Sequence, residues 1–119
     1  MASIPIYDET KPISCTIGAD EVPARIELID RMRDHLASIE RSEHGMLLRF
    51  PDRPDIEADL RRFAVDEKRC CEFWGFAIER SGGGLSLRWD APPDAAALVE
   101  QFLDFFRGDA PLTSIRGLL

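Results

Sequence analysis

Two segments of the chain repeat each other: IERSEHGMLLRF at residues 39–50 and IERSGGGLSLRW at residues 78–89. When Ile39 is aligned with Ile78, seven of the twelve positions are identical. In the second part of each copy a large apolar residue occupies every second position, which is typical of a half-buried antiparallel strand. Gly45 in the first copy and Gly82–Gly84 in the second predict tight turns with positive φ angles. Each copy is therefore predicted to form a β-hairpin.

Helical patterns stand before, between and after the hairpins. Asp20 is the predicted cap of the first helix, with Pro23 tolerated in its first turn. Asp55 opens the second helix, which runs to about Cys70, and Asp94 opens the third. The predicted inward positions are Val22, Ile26, Ile29, Met32 and Leu36 in the first helix, Ile56, Leu60 and Phe63 in the second, and Ala95, Leu98, Phe102 and Phe105 or Phe106 in the third.

The resulting order of elements, α-β-β-α-β-β-α, predicts an α+β fold. We expect a four-stranded antiparallel sheet with helices on one face and the two hairpins related by an approximate twofold. The length of 119 residues favours a single domain over residues 1–119, with tails at 1–13 and 108–119 that are either flexible or docked on a partner. Because the sheet leaves an edge strand at each side, we also expect a homodimer.

Charge and cysteine content exclude several classes of protein. Fifteen basic and 22 acidic side chains give a net charge of −7, which disfavours direct binding to nucleic acid or to anionic lipid. No stretch approaches the roughly 18 uncharged apolar residues of a membrane span, and the N-terminus lacks the pattern of a secretory signal. Three cysteines, two of them adjacent, do not resemble a secreted disulfide framework, so a reducing cytoplasmic location is predicted.

The adjacent thiols of Cys70 and Cys71 lie where the second helix turns into the third strand. Adjacent cysteines rarely bond to each other, and two free thiols side by side can chelate a soft ion such as Hg(II), As(III), Cu(I) or Zn(II). Cys15 lies in the loop before the first helix, and antiparallel packing of the first two helices would bring that loop to the pair. This predicts a three-thiol site. Without metal, Cys15 and one of the pair could form a disulfide. The alternative is that the cysteines are small core residues.

Glu67 continues the inward stripe of the second helix, one turn before the paired thiols. A carboxylate there could be a metal ligand, a proton acceptor or a partner of a ligand. The alternative is a side chain whose stem lies over the core and whose head is in water, paired to one of three neighbours. Those neighbours are Arg61, Arg62 and Lys68.

Aromatic and acidic residues surround the thiol pair. Phe73, Trp74 and Phe76 are predicted to build core, and they could also form an apolar wall around a thiol site. The helix C-terminus and the acidic side chains of Asp66, Glu67 and Glu72 disfavour a thiolate, which argues against a redox enzyme.

The stretch from Cys15 into the first helix and the segment FAVDEKRCCEFWGFAIE at 63–79 resemble a small, poorly characterised bacterial domain. Its members have an early cysteine and a later C-C-x-F motif, which Cys15, Cys70, Cys71 and Phe73 match over roughly residues 13–106. They occur alone or appended to MerR-type metal-responsive regulators, often in heavy-metal contexts. The resemblance implies handling of a soft metal or metalloid through the three cysteines. Glu72 stands where members often have proline.

The order of elements is similar to that of pterin carbinolamine dehydratases, whose paired active-site histidines sit near the end of the central helix. Cys70 and Cys71 occupy the comparable place, and the histidine motif is absent.

The leading hypothesis is a metal- or metalloid-binding or sensing module with a three-thiol site formed by Cys15, Cys70 and Cys71, with Glu67 beside them. One alternative is a small hydrolase, lyase or dehydratase, with Glu67 or a cysteine as acid or base. The other is a dimeric interaction domain with structural cysteines. The sequence leaves open whether the protein is an enzyme.

Overall fold

The helices and strands follow the predicted order. The structure is a computed structural model that describes residues 5–8, 10–11 and 20–108, apart from the side chain of Cys70. The helices are α1 (Val22–His35), α2 (Pro54–Cys70) and α3 (Ala96–Arg107), and a short 3-10 helix (Pro93–Ala95) precedes α3. The strands are β1 (Ser38–Arg41), β2 (Gly45–Pro51), β3 (Gly75–Ser81) and β4 (Gly84–Asp90). The predicted α+β fold is confirmed.

One antiparallel sheet contains all four strands, in the order β1-β2-β4-β3. Ile39 lies opposite Leu48 in the first hairpin, and the equivalent residues Ile78 and Leu87 lie opposite each other in the second. Leu48 and Leu87 also face each other where the hairpins meet. Because the two registers match about this central pair, the hairpins have the approximate twofold relation that the repeat predicts.

The hydrophobic core lies between one face of the sheet and the helices. Trp89 of β4 is at its centre, with ring centroids 5.2 Å from Phe63, 5.2 Å from Trp74 and 4.8 Å from Phe102. Every predicted inward residue of α2 is buried, as are the apolar positions on the same face of β2 and β4. In the described residues, no helix is long and apolar enough to cross a membrane.

The inward face of α1 differs from the predicted stripe. Its buried residues are Arg25, Leu28, Ile29 and Met32, while Ile26 is only half-buried. These positions still follow helical spacing, but one of them is charged, so a search for apolar residues alone misplaces the face.

Helix starts also differ from the predicted ones. Asp20 does not cap α1, because Glu21 is the N-cap and makes no side-chain capping bond. The second helix begins at Pro54 rather than Asp55, and proline is well suited to the first turn because it has no N–H to leave unpaired. Asp94 lies within the 3-10 helix that precedes α3.

In α3, Leu98 is half-buried, and the buried positions are Val99, Phe102, Leu103, Phe105 and Phe106.

The two hairpin turns are built differently. Gly82 and Gly83 have φ angles of +59° and +80°, the left-handed conformations that two-residue hairpin turns require. The prediction of a positive φ is wrong for Gly84 and for Gly45. Gly45 has a different role. It is the first residue of β2, and a Cβ atom there would lie 2.0 Å from the carbonyl oxygen of Trp89. This glycine permits the close approach of two strands.

The described part of the N-terminal tail packs on its own chain. Ile6 N donates to Asp90 Oδ2 at 3.2 Å, and Asp8 N donates to the carbonyl of Phe73 at 3.2 Å. A Cβ atom on Gly75 would lie 2.1 Å from the carbonyl oxygen of Ile6. The absence of a side chain at Gly75 therefore lets residues 5–8 cross the end of the sheet. Residues 109–119 of the predicted C-terminal tail lie outside the described residues.

Candidate functional site

The start of α1 lies beside the end of α2. Arg25 contacts Glu67, Arg69 contacts Glu21 at 3.4 Å, and, farther along, Arg31 contacts Asp59 at 3.2 Å. Residue numbers rise along one helix as they fall along the other, so the two helices are antiparallel. The start of α1 therefore lies near the end of α2, where Cys71 stands, and the predicted antiparallel packing is observed. The loop before α1, residues 12–19, lies outside the described residues. Cys15 itself lies outside the described residues.

A buried ion pair joins these helix ends. Arg25 Nη1 donates to Glu67 Oε1 at 2.6 Å, and Arg25 Nη2 donates to the carbonyl oxygen of Asp66 at 3.4 Å. The side chains of Arg25 and Glu67 are only 3% and 1% exposed. Glu67 therefore points inward, as predicted, but the alternative of a head in water is wrong. Its partner is on α1, whereas Arg61, Arg62 and Lys68 were the expected candidates.

The environment of Glu67 works in two directions. Burial removes water from the carboxylate and raises its pKa, and this effect outweighs the nearby Arg25 guanidinium, which lowers it. The indole N–H of Trp74 also favours the charged form, although Trp74 Nε1 makes no hydrogen bond of normal geometry. The Glu67 carboxylate thus lies beside the Arg25 guanidinium, which favours its charged form, in a buried environment that disfavours that form.

Cys71 lies one turn beyond Glu67, at the C-cap of α2. Its backbone N–H donates to the carbonyl of Glu67 at 2.7 Å. The residue is only 2% exposed and belongs to the core. Its sulfur is in a disulfide bond, so in this form it is not a thiolate ligand. The side chains of the other two cysteines lie outside the described residues.

Two buried aromatic residues follow Cys71 in the turn between α2 and β3. Phe73 and Trp74 are buried, with ring centroids 4.5 Å apart, and Trp74 also packs against Phe102. The backbone N–H of Trp74 donates to the carbonyl of Cys71 at 3.2 Å, which closes the turn between α2 and β3. The prediction of core positions is confirmed for Phe73 and Trp74, while Phe76 is only half-buried against the core. Cys71 is buried in the same core.

The charges near the junction are largely neutralised. Lys68 Nζ donates to the carbonyl of Trp74 at 2.6 Å and also contacts the carbonyl of Glu72, so a cation lies at the negative end of the helix dipole. Each nearby carboxylate has a basic partner, so the local charge disfavours a thiolate less than the sequence suggested. The pairs are Glu67 with Arg25, Glu72 with Lys11, and Asp66 with Arg62 and Arg69.

A polar crevice opens between α1 and α2 above the buried pair. Its volume is about 380 Å³, and Arg25, Asp66 and Arg69 are among its lining residues. Within the described residues, no group of three His, Cys, Asp or Glu side chains is arranged to hold a metal ion.

Sequence reasoning missed Arg25. The signal was present, because Arg25 is spaced three and four residues before Leu28 and Ile29 on the inner face of α1. Opposite charges on the inner faces of two antiparallel helices predict a buried pair, since an unpaired charge there would be too costly. Asp90 was also missed. It is fully buried, accepts from Arg88 Nη2 at 2.7 Å and holds the N-terminal segment at Ile6.

The fold and the site together define an α+β protein with a buried Arg–Glu pair beside a buried half-cystine. Comparison with protein-family models, with curated proteins and with solved structures finds no match to this chain.

Proposed function

We propose that the protein binds a soft metal or metalloid ion through Cys15, Cys70 and Cys71 when these are reduced. The observation that carries this proposal is the disulfide at Cys71. A disulfide requires a second sulfur at bonding distance. Two thiols that lie so near each other can also bind one soft ion between them. The predicted reducing cytoplasm would supply the dithiol form.

The antiparallel packing of α1 and α2 supports the convergence of all three thiols. Arg25 and Glu21 at the start of α1 contact Glu67 and Arg69 at the end of α2. Cys15 precedes α1 by a few residues, so only a short segment separates it from this junction. The resemblance to the three-cysteine domain led to the same hypothesis from the motif alone.

Glu67 acts in this proposal as a positioning residue. Its carboxylate is engaged by Arg25 at 2.6 Å, and its backbone carbonyl accepts from Cys71 N. The ion pair therefore fixes the last turn of α2 and, through it, the orientation of Cys71. Loss of groups that only orient a metal ligand typically costs about 10- to 100-fold in affinity.

Native mass spectrometry of the reduced, full-length chain with Zn(II) or As(III) tests the proposal. We expect one ion per chain, no uptake by the oxidised protein, and a loss of at least about 100-fold in affinity for Cys71→Ser or Cys15→Ser, since loss of a ligand should exceed loss of an orienting group. Glu67→Gln is the control for the positioning role and should retain the ion with weaker affinity. Absence of any adduct in the reduced protein would refute the proposal.

Burial of Cys71 favours one other function for the cysteines, that of a disulfide that stabilises an interaction domain. A half-cystine that is 2% exposed is poorly placed for exchange, and a native disulfide typically stabilises a small domain by about 2–4 kcal/mol. In that case reduction lowers the urea midpoint strongly and the reduced chain takes up neither Zn(II) nor As(III). The same two measurements therefore separate the two functions.

We propose further that the protein forms a homodimer through an edge of the sheet. In the part of the chain that the structure describes, β1 and β3 have one neighbouring strand each. The longer of the two is β3, with seven residues against four in β1. Val65 of α2, 67% exposed, lies beside β3 in a shallow groove with Phe76. A second copy laid along β3 would cover this groove. Sedimentation at tens of micromolar should show a dimer that Val65→Glu dissociates, and a monomer for the unmodified chain would contradict the proposal.

A further inference from the structure

A second cavity lies where the turn of the first hairpin faces the start of α3. Its volume is about 250 Å³. One wall is polar and consists of Arg41 and the turn residues 42–44. The other is apolar and includes Pro92, Ala96 and Val99.

The internal repeat supplies a template for this cavity. Arg41 is equivalent to Arg80 when the two copies are aligned. In the second hairpin, Arg80 Nε donates to Asp52 Oδ2 at 2.8 Å, and its Nη2 contacts Glu57. A guanidinium at this place in the fold therefore holds two carboxylates, one from the strand exit and one from the first turn of the following helix.

Both of these carboxylates are missing around Arg41. The residues equivalent to Asp52 and Glu57 are Ala91 and Ala96, and both alanines line the cavity. The first turn of α3 carries no acidic side chain, whereas the first turn of α2 carries Asp55 and Glu57. The cavity beside Arg41 thus lies at the position that acidic side chains occupy beside Arg80.

Two donors at the cavity lack a full set of acceptors in the described part of the chain. Arg41 contacts Glu100 through Nη1, and its other N–H groups have no acceptor in the described part of the chain. The Ser42 hydroxyl oxygen is buried without a hydrogen-bond partner, which is costly unless a ligand or water satisfies it. An arginine and an unsatisfied hydroxyl on adjacent residues form a suitable seat for a carboxylate.

We propose that this cavity binds the carboxylate of a small organic acid. The carboxylate of the ligand lies between Arg41 and Ser42 Oγ and takes the place that the Glu57 carboxylate has beside Arg80. The apolar part of the acid packs on Pro92, Ala96 and Val99. The cavity is smaller than the roughly 300–1,000 Å³ of pockets for drug-sized ligands, so the ligand is a compact acid. No cysteine is among the described residues that line this cavity.

Benzoate is a probe of suitable size, and benzamide has nearly the same shape without the charge. In amide NMR spectra of the full chain, we expect benzoate to shift the signals of Ser42, Gly45 and Ala96 saturably, and benzamide to bind at least about tenfold more weakly, as expected for loss of a charge-assisted hydrogen bond. Arg41→Gln should weaken benzoate binding by a similar factor. The matched control is Arg80→Gln, which should change it less than about twofold.

A gain-of-residue variant completes the test. Ala96→Glu places on α3 the carboxylate that Glu57 provides on α2, and Ala96 is exposed, so the fold should tolerate it. This variant should lose benzoate binding because its own carboxylate occupies Arg41. Equal binding of benzoate and benzamide, unchanged binding by Arg41→Gln or Ala96→Glu, or no saturable shift at about 50 mM would each overturn the proposal.

Discussion

The two hairpins of this protein have the same register and nearly the same sequence, yet the surroundings of their turns differ. In the second hairpin, Gly82 and Gly83 form an exposed turn, and Arg80 is held by Asp52 and Glu57. The first hairpin has no positive φ angle in its turn, and its arginine faces a cavity. A repeat therefore keeps the sheet geometry while its turns and helix starts are free to take different roles.

The helices that enter the hairpins differ in the same way. In the alignment of the two copies, Leu28 of α1 is equivalent to Glu67 of α2, and Met32 is equivalent to Cys71. In the first half these positions are purely apolar and make core. In the second half they carry the buried carboxylate and the half-cystine. The buried carboxylate and the half-cystine thus stand at positions where the second half departs from the first.

Replacing Glu67 by the leucine of its counterpart should have the largest effect on stability. Glu67→Leu leaves the Arg25 guanidinium buried without its carboxylate, and breaking a buried pair in this way costs about 3–5 kcal/mol. The double variant Arg25→Met/Glu67→Leu should recover most of this loss, because an apolar pair can replace a buried ion pair. Urea unfolding of the three proteins measures both effects. If the double variant were as unstable as the single one, the ion pair would not be the cause.

The equivalent glycines Gly45 and Gly84 should respond unequally to alanine. A Cβ atom on Gly45 would lie 2.0 Å from the Trp89 carbonyl oxygen, but one on Gly84 would lie 3.3 Å from that of Phe50. Gly45→Ala should therefore cost on the order of 3 kcal/mol, since two strands must separate, and Gly84→Ala below about 1 kcal/mol. Urea midpoints give the comparison. Equal losses would show that the strand spacing at the first turn is adjustable.

The buried carboxylate should also make stability depend on pH. Because burial raises the Glu67 pKa above its ordinary value of 4.5, the folded chain binds this proton more tightly than the unfolded chain. Stability relative to Glu67→Gln should therefore be greatest below pH 4.5 and fall as the pH rises through the raised pKa. Unfolding of both proteins between about pH 4 and pH 8 tests the sign. A difference that grows with pH would mean that Arg25 outweighs burial.

The smallest effect concerns the equivalent arginines. Arg80 has two carboxylate partners and Arg41 has one, so Arg80→Gln should lower the urea midpoint more than Arg41→Gln. Both losses should be small because the pairs are exposed. They should shrink further at about 1 M salt, where charges are screened beyond roughly 3 Å. Losses that persist at high salt would point to packing of the arginine stems instead.

Much of the fold could be predicted from local patterns. The repeat and the alternation of apolar residues define the four strands, and the constant spacing between equivalent positions implies their matched registers. The inner stripe of α2, from Ile56 to Glu67, follows from helical spacing alone. These features depend on residues close together in the chain, so periodicity detects them.

The candidate site could be predicted only in part. Adjacent cysteines at the end of a helix mark the junction, and the inward position of Glu67 follows from its spacing. The partner of Glu67 did not follow, because Arg25 lies on another helix, far away in the chain, and a charged residue does not stand out on an apolar stripe. The role of Gly45 was likewise hidden, since the close approach of Trp89 depends on the pairing of two distant strands.

The sequence by itself determined the order of elements, the sheet and the chemistry available at the end of α2, because spacing and residue type set these locally. Only the tertiary structure decided which charges are buried together, and which half of the repeat keeps an open cavity beside its arginine. Both depend on contacts between segments far apart in the chain. Two copies with seven identical positions in twelve can share one backbone conformation. Even so, Asp52 and Glu57 contact Arg80, whereas the equivalent Ala91 and Ala96 leave space beside Arg41.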